Sequence, residues 1–100
     1  MTEQPHTAVA LVATDQPERY AKQLAAHLGR RAEVREEEGG TRIVLPGGDC
    51  LLSAGDGALR MDATAADEES LGVVTDVVGR HLERFGQRHE LRVEWGPSPA

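Results

Sequence analysis

The chain has 100 residues, which fits one domain with one hydrophobic core. Its aromatic residues are Tyr20, Phe85 and Trp95, so Leu, Val, Ile and Ala must fill most of that core and leave little room for a deep pocket. The formal charge of −6 and the lack of a basic stripe argue against binding to nucleic acid or to anionic membrane surfaces.

The cysteine content and the chain termini bear on location. Cys50 is the single cysteine, which excludes an intrachain disulfide and fits a reducing cytoplasm. The N-terminus lacks the pattern of a signal peptide, and no apolar run is long enough to span a bilayer. We therefore predict a cytoplasmic, single-domain protein over residues 1–100, with disordered tails at about 1–6 and 97–100.

The first predicted elements are a strand and a helix. Residues 7–14 carry apolar side chains at both parities, as a central strand does. Asp15 is placed to cap a helix, and Pro17 suits its first turn. This helix should continue to about Leu28, with Gly29 as its stop.

Four short strands follow, separated by glycine-containing turns. They are predicted at residues 33–38, 41–45, 50–54 and 58–65. The charges of the first of these strands favour an edge position, because charge blocks edge-to-edge association. The last alternates apolar and polar residues, so one of its faces should meet the core and the other water.

A second helix and a final strand complete the pattern. Asp67 begins the helix, Gly86 ends it, and residues 91–95 alternate as a strand. The order β-α-β-β-β-β-α-β predicts an α+β fold with two layers, an antiparallel sheet and two helices on one of its faces. Gly72 and Gly79 share one side of the second helix and predict a close approach there, by the first helix in preference to a second copy of the chain.

Two histidines occupy unusual positions for polar residues. His27 and His81 lie in the apolar stripes of their helices, so helices packed side by side bring the imidazoles near one another. Such a pair can bind a transition metal or another ligand, although a half-buried histidine more often donates to a backbone carbonyl. Tyr20, in the same stripe as His27, completes the candidate ligand-binding set. Cys50 and His89 are candidates for a third metal ligand by residue type, but nothing in their spacing places them beside the two histidines.

No catalytic motif stands out. Ser53, Ser70 and Cys50 lie in no nucleophile elbow, and the glycine pairs separate strand from strand, unlike a phosphate loop. We predict no catalytic residue and no cofactor, and favour a protein that is not an enzyme.

Several stretches together resemble a known family. They are residues 14–24, His27, residues 46–48 and residues 76–86. This pattern resembles the bacterial family called domain of unknown function 2218. The resemblance implies a small domain without an established activity, and a link to iron handling because some relatives are joined to, or encoded beside, siderophore-interacting flavin reductases. The element order is also similar to the TATA-binding-protein-like arrangement, but the acidic balance argues against DNA binding.

Three functions stay open at this point. The favoured one is a non-catalytic binding or accessory protein that acts beside iron–siderophore handling, with a siderophore-interacting flavin reductase as partner. The second is a small metal-binding protein or enzyme that uses His27 and His81. The third is a structural homodimer formed through the polar sheet face or the glycine-lined helix, so both a monomer and a homodimer are considered.

Overall fold

The computed structural model describes residues 5–87 and 91–97, and within them the chain forms five strands and two helices. The strands are β1 (His6–Ala13), β2 (Glu33–Glu37), β3 (Gly40–Leu45), β4 (Gly48–Gly55) and β5 (Ala58–Ala65). The helices are α1 (Pro17–Leu28) and α2 (Glu68–Phe85). The strands form one antiparallel sheet in the order β1-β5-β4-β3-β2, which confirms the predicted α+β class.

Alternation along the strands divides the sheet into an inner and an outer face. Ala63 of β5 pairs with Ala8 of β1 and Cys50 of β4, and Cys50 pairs with Ile43 of β3. These residues are all buried, because both helices cover the inner face. The outer face carries ion pairs such as Arg60–Asp62. The sheet therefore has one apolar face on the core and one polar face, as predicted.

The two helices begin in different ways. Asp67 caps α2, since its carboxylate accepts a hydrogen bond of 2.7 Å from the backbone N–H of Ser70, and this bond lowers the pKa of Asp67. The predicted Asp15 cap of α1 is wrong. Gln16 occupies the cap position without a side-chain bond, and Pro17 begins the helix. Proline lacks an N–H, so the first turn of α1 has one backbone donor fewer that needs a partner.

The predicted central position of the first strand is also wrong. β1 lies at the edge of the sheet, and Leu11 on its outer face is 67% exposed. Apolar residues at both parities arise here because Ala8, Ala10 and Val12 fill the core, while Val9 pairs with a segment from the C-terminus. β2 occupies the opposite edge, as its charges predict.

The predicted final strand is reduced to one bridge. Gly96 exchanges two backbone hydrogen bonds of 2.9 Å with Val9, whereas residues 91–95 have no strand assignment. The N–H of Val93 instead donates to the carboxylate of Glu83, at 3.1 Å. The segment is thus held to α2 as well as to β1, and Leu91, Val93 and Trp95 pack against the core. The element order in the described residues is β-α-β-β-β-β-α.

Gly79 of α2 accommodates this segment and not the first helix. A Cβ at Gly79 would lie 3.1 Å from Trp95 Nε1 and 3.4 Å from Val93 Cγ1. At Gly72 a Cβ would meet nothing within 4 Å. The predicted approach of α1 at these glycines is therefore wrong, and at Gly79 the C-terminal segment takes its place.

We expect Gly72→Ala to stabilise the protein by about 0.5–1 kcal/mol, because alanine favours the helix and meets no neighbour. Gly79→Ala should stabilise the protein less than Gly72→Ala does, or destabilise it, because the added Cβ crowds Trp95. Urea denaturation of both variants measures the difference. Equal stabilisation by both substitutions would contradict the close approach at Gly79.

Two further observations concern the ends and the helices. His6 of the predicted N-terminal tail lies in β1, while residues 1–4 and 98–100 lie outside the described residues. Neither α1 nor α2 is long and apolar enough to cross a membrane, in the part of the chain that the structure describes.

Candidate functional site

The packing of α1 beside α2 brings His27 and His81 together. Leu24 and Leu28 of α1 and Val78 and Leu82 of α2 are buried against the sheet. His27 directly precedes Leu28, and His81 directly precedes Leu82. Each histidine therefore lies at the edge of its buried stripe, and the two meet where the helices adjoin. Their ring centroids lie 4.9 Å apart, and the ring planes are tilted by 44°.

A backbone hydrogen bond fixes the ring of His81. Nδ1 lies 2.6 Å from the carbonyl oxygen of Val77, one helical turn earlier. A carbonyl oxygen only accepts hydrogen bonds, so the proton belongs on Nδ1. In the neutral ring, Nε2 of His81 then carries the lone pair and is the atom available to a ligand.

His27 contacts two rings of α2. Besides His81, it contacts Phe85 edge to face, with ring centroids 5.2 Å apart and planes at 79°. Its side chain is exposed to solvent, whereas that of His81 is half-buried. The pair thus combines a defined position with access from outside.

A cleft of about 540 Å³ opens beside the two imidazoles. Its apolar wall comes from the end of α1 and the loop that follows it, from β3 and its turn, and from α2. The residues of this wall are Leu28, Ala32, Leu45, Pro46 and Val77. Its polar lining consists of His27, His81, Arg30 and Arg31.

Local turns position the lining. After α1 ends, the N–H of Arg31 donates to the carbonyl of Leu28 at 3.1 Å, so the two arginines follow the helix end directly. Gly47 has φ 86°, a conformation that favours glycine, and a Cβ there would lie 3.0 Å from Ser70. The Pro46–Gly47 turn therefore packs on the start of α2 and places Pro46 at the cleft.

The cleft is cationic within an acidic protein. Within the described residues, the guanidinium groups of Arg30 and Arg31 form no ion pair, and no carboxylate lines the cleft. An anion that enters would meet two guanidinium groups and two imidazoles. The arrangement suits an anionic molecule with an apolar part.

The other candidate residues lie elsewhere. Tyr20 is 5% exposed, belongs to the core and does not line the cleft. Cys50 is fully buried in the sheet, and this burial raises the pKa of its thiol to about 12, so it is neither a nucleophile nor an accessible thiolate ligand. His89 lies outside the described residues. Among the described residues, no group of three His, Cys, Asp or Glu is arranged to hold a metal ion.

Sequence reasoning found the histidines but missed the other seven residues of the lining. These are Leu28, Arg30, Arg31, Ala32, Leu45, Pro46 and Val77. A signal was present, because a basic doublet directly after the helix stop at Gly29 lies at the same end of α1 as His27.

The fold and the cleft define a two-layer α+β domain with a histidine pair between its helices. The chain belongs to the family described as uncharacterized protein conserved in bacteria (DUF2218), whose model matches residues 9–96. It is similar to the NMR structure of PA4090 from Pseudomonas aeruginosa, with 27% sequence identity and a TM-score of 0.75. That match covers 95% of this chain and 99% of PA4090. No curated protein matches the chain.

Proposed function

We propose that this domain is a non-catalytic binding protein that holds a small, partly apolar anion in the cleft beside His27 and His81. The observation that carries the proposal is the lining, which combines Arg30 and Arg31 with an apolar wall. Opposite charge attracts the ligand, and burial of its apolar part adds affinity.

The chemistry of the cleft favours binding over turnover. An imidazole that acts as a base is commonly oriented by a carboxylate and works beside a nucleophile. The described lining has neither group, and Nδ1 of His81 faces a backbone carbonyl.

The link to iron handling that the sequence resemblance implies leads to a more specific version of the proposal. We propose that the domain acts beside iron–siderophore handling in the cytoplasm, with a siderophore-interacting flavin reductase as partner. Ferric complexes of catecholate siderophores combine negative charge with aromatic rings, the two properties that the cleft accommodates. A single, buried cysteine agrees with a reducing compartment.

A titration with salicylate and its neutral isostere salicylamide tests the charge requirement. We expect salicylate to shift backbone amide NMR signals of residues 27–32, 45 and 77–81, and to bind at least about tenfold more tightly than salicylamide. Combining Arg30→Gln with Arg31→Gln should weaken salicylate binding about tenfold, because both guanidinium charges are lost.

Arg84→Gln is the matched control. It also removes a positive charge, but Arg84 lies outside the cleft lining, so salicylate affinity should stay unchanged. Equal affinity for salicylate and salicylamide, or shifts confined to another surface, would contradict the proposed function. A ferric catecholate siderophore in the same assay, and co-purification with a flavin reductase, test the specific version separately.

A further inference from the structure

We infer that His27 and His81 form a two-histidine site for a divalent transition metal ion, whose remaining coordination positions are filled from the cleft by water or an anionic chelator. This inference stands on the geometry of the two rings and does not require the proposed anion function. Imidazole nitrogen suits Zn²⁺, Cu²⁺ and Ni²⁺.

The distance between the rings fits a shared ion. With metal–nitrogen bonds of about 2 Å, two imidazoles on one tetrahedral ion have ring centres about 5 Å apart. The observed separation of the centroids of His27 and His81 is 4.9 Å. Ordinary aromatic packing also allows this distance, so the zinc titration described below distinguishes the two explanations.

The bond from His81 to Val77 is the arrangement that metal-binding histidines show. A ligating histidine typically donates its other ring N–H to a carboxylate, a backbone carbonyl or water, which fixes the tautomer and the ring orientation. Nδ1 of His81 lies 2.6 Å from the carbonyl oxygen of Val77. Nε2, the nitrogen that remains, is the usual ligand atom.

His27 supplies the second nitrogen at low entropic cost. Its ring contacts Phe85 and His81, so its position is largely fixed before a metal binds. No hydrogen bond from its ring to a described residue competes with coordination. The His27 imidazole is therefore positioned for metal binding by ring packing, and its nitrogens stay available to the metal.

The charges near the pair determine which species completes the site. Arg30 and Arg31 line the same cleft, and no carboxylate in the described lining offsets them. They lower the affinity for a bare dication without preventing its binding, and they raise the affinity for a dication accompanied by an anionic chelator. Cys50 is excluded as a third ligand by its position in the core. The site is thus open on its cleft side, unlike the closed four-ligand sites that serve structure.

Titration with Zn²⁺ alone, followed by NMR of the imidazole nitrogens, tests the inference. We expect Zn²⁺ to shift Nε2 of both His27 and His81 while Nδ1 of His81 stays protonated. His27→Ala and His81→Ala should each lower the apparent Zn²⁺ affinity at least about tenfold. His6→Ala is the control, since His6 lies at the start of β1 and outside the cleft, and its affinity should match the wild type.

Three results would overturn the metal site. They are unshifted His27 and His81 signals, shifts confined to His6 or His89, or wild-type Zn²⁺ affinity in folded His27→Ala. Amide spectra of each variant establish that it is folded. The salicylate titration repeated with EDTA separates the two proposals, because salicylate binding without Zn²⁺ binding removes only the metal site, and the reverse result removes only the anion function.

Discussion

Replacing Leu24 with alanine is expected to lower the free energy of unfolding by about 2–5 kcal/mol. Leu24 is 0% exposed and lies in the core between α1 and the sheet. The substitution removes three carbons from this contact, and the neighbours close the resulting cavity only in part. Guanidinium denaturation followed by far-UV circular dichroism measures the loss.

The same variant tests how α1 positions the cleft. His27 lies three residues beyond Leu24 on the same face of the helix, so a looser helix should also broaden the amide signals of His27 and Arg30. Gln23→Ala is the control, because Gln23 is an exposed neighbour on α1 and its loss should change stability by no more than about 0.5 kcal/mol. A loss below 1 kcal/mol for Leu24→Ala would contradict its place in the core.

Gly40→Ala should destabilise the protein by about 2–5 kcal/mol through backbone strain together with a steric clash. Gly40 begins β3 with φ 143°, a conformation that favours glycine. A Cβ there would overlap the backbone carbonyl of Leu52 on the neighbouring strand, and a strand backbone cannot turn aside as a side chain can. Thermal and urea denaturation report the effect.

The adjacent glycine provides the comparison for this prediction. A Cβ at Gly39 would lie 3.8 Å from Leu51 Cδ2, which is ordinary contact. Gly39→Ala should therefore stay within about 0.5 kcal/mol of the wild type. If the two alanine variants unfold at the same denaturant concentration, the conformation of the β2–β3 turn is not the one described.

Local sequence signals predict where the helices and strands lie along the chain better than they predict which elements lie next to one another in the fold. Gly29 and Gly86 mark the ends of the two helices, and alternation predicts β5 at residues 58–65, where it lies. The sequence does not predict the edge position of β1. Apolar residues at both parities fit a strand with a full neighbour on each side, and they fit equally well a strand that has only a single bridge at Val9 on one side. Residues 91–95 alternate like a strand, yet the bond from Val93 to Glu83 joins residues on different elements and leaves no periodic signal.

The candidate site was predictable to the extent that it depends on helical periodicity. The stripes of α1 and α2 place His27 and His81 on facing flanks, and the structure brings them together. The same reasoning put Tyr20 beside them, but an aromatic ring within a stripe is equally suited to the core, where Tyr20 lies. Pro46 reaches the cleft through a turn between distant strands, which no local pattern reveals.

The bridge between Val9 and Gly96 brings the two ends of the family domain together. Neighbouring strands lie about 4.8 Å apart, so a few residues suffice to join the ends. The domain is therefore suited to insertion into a surface loop of a host protein, since it enters and leaves the host at one point. It is equally suited to circular permutation, with new ends at the exposed Asp56–Gly57 turn, where a Cβ on Gly57 meets no atom within 4 Å.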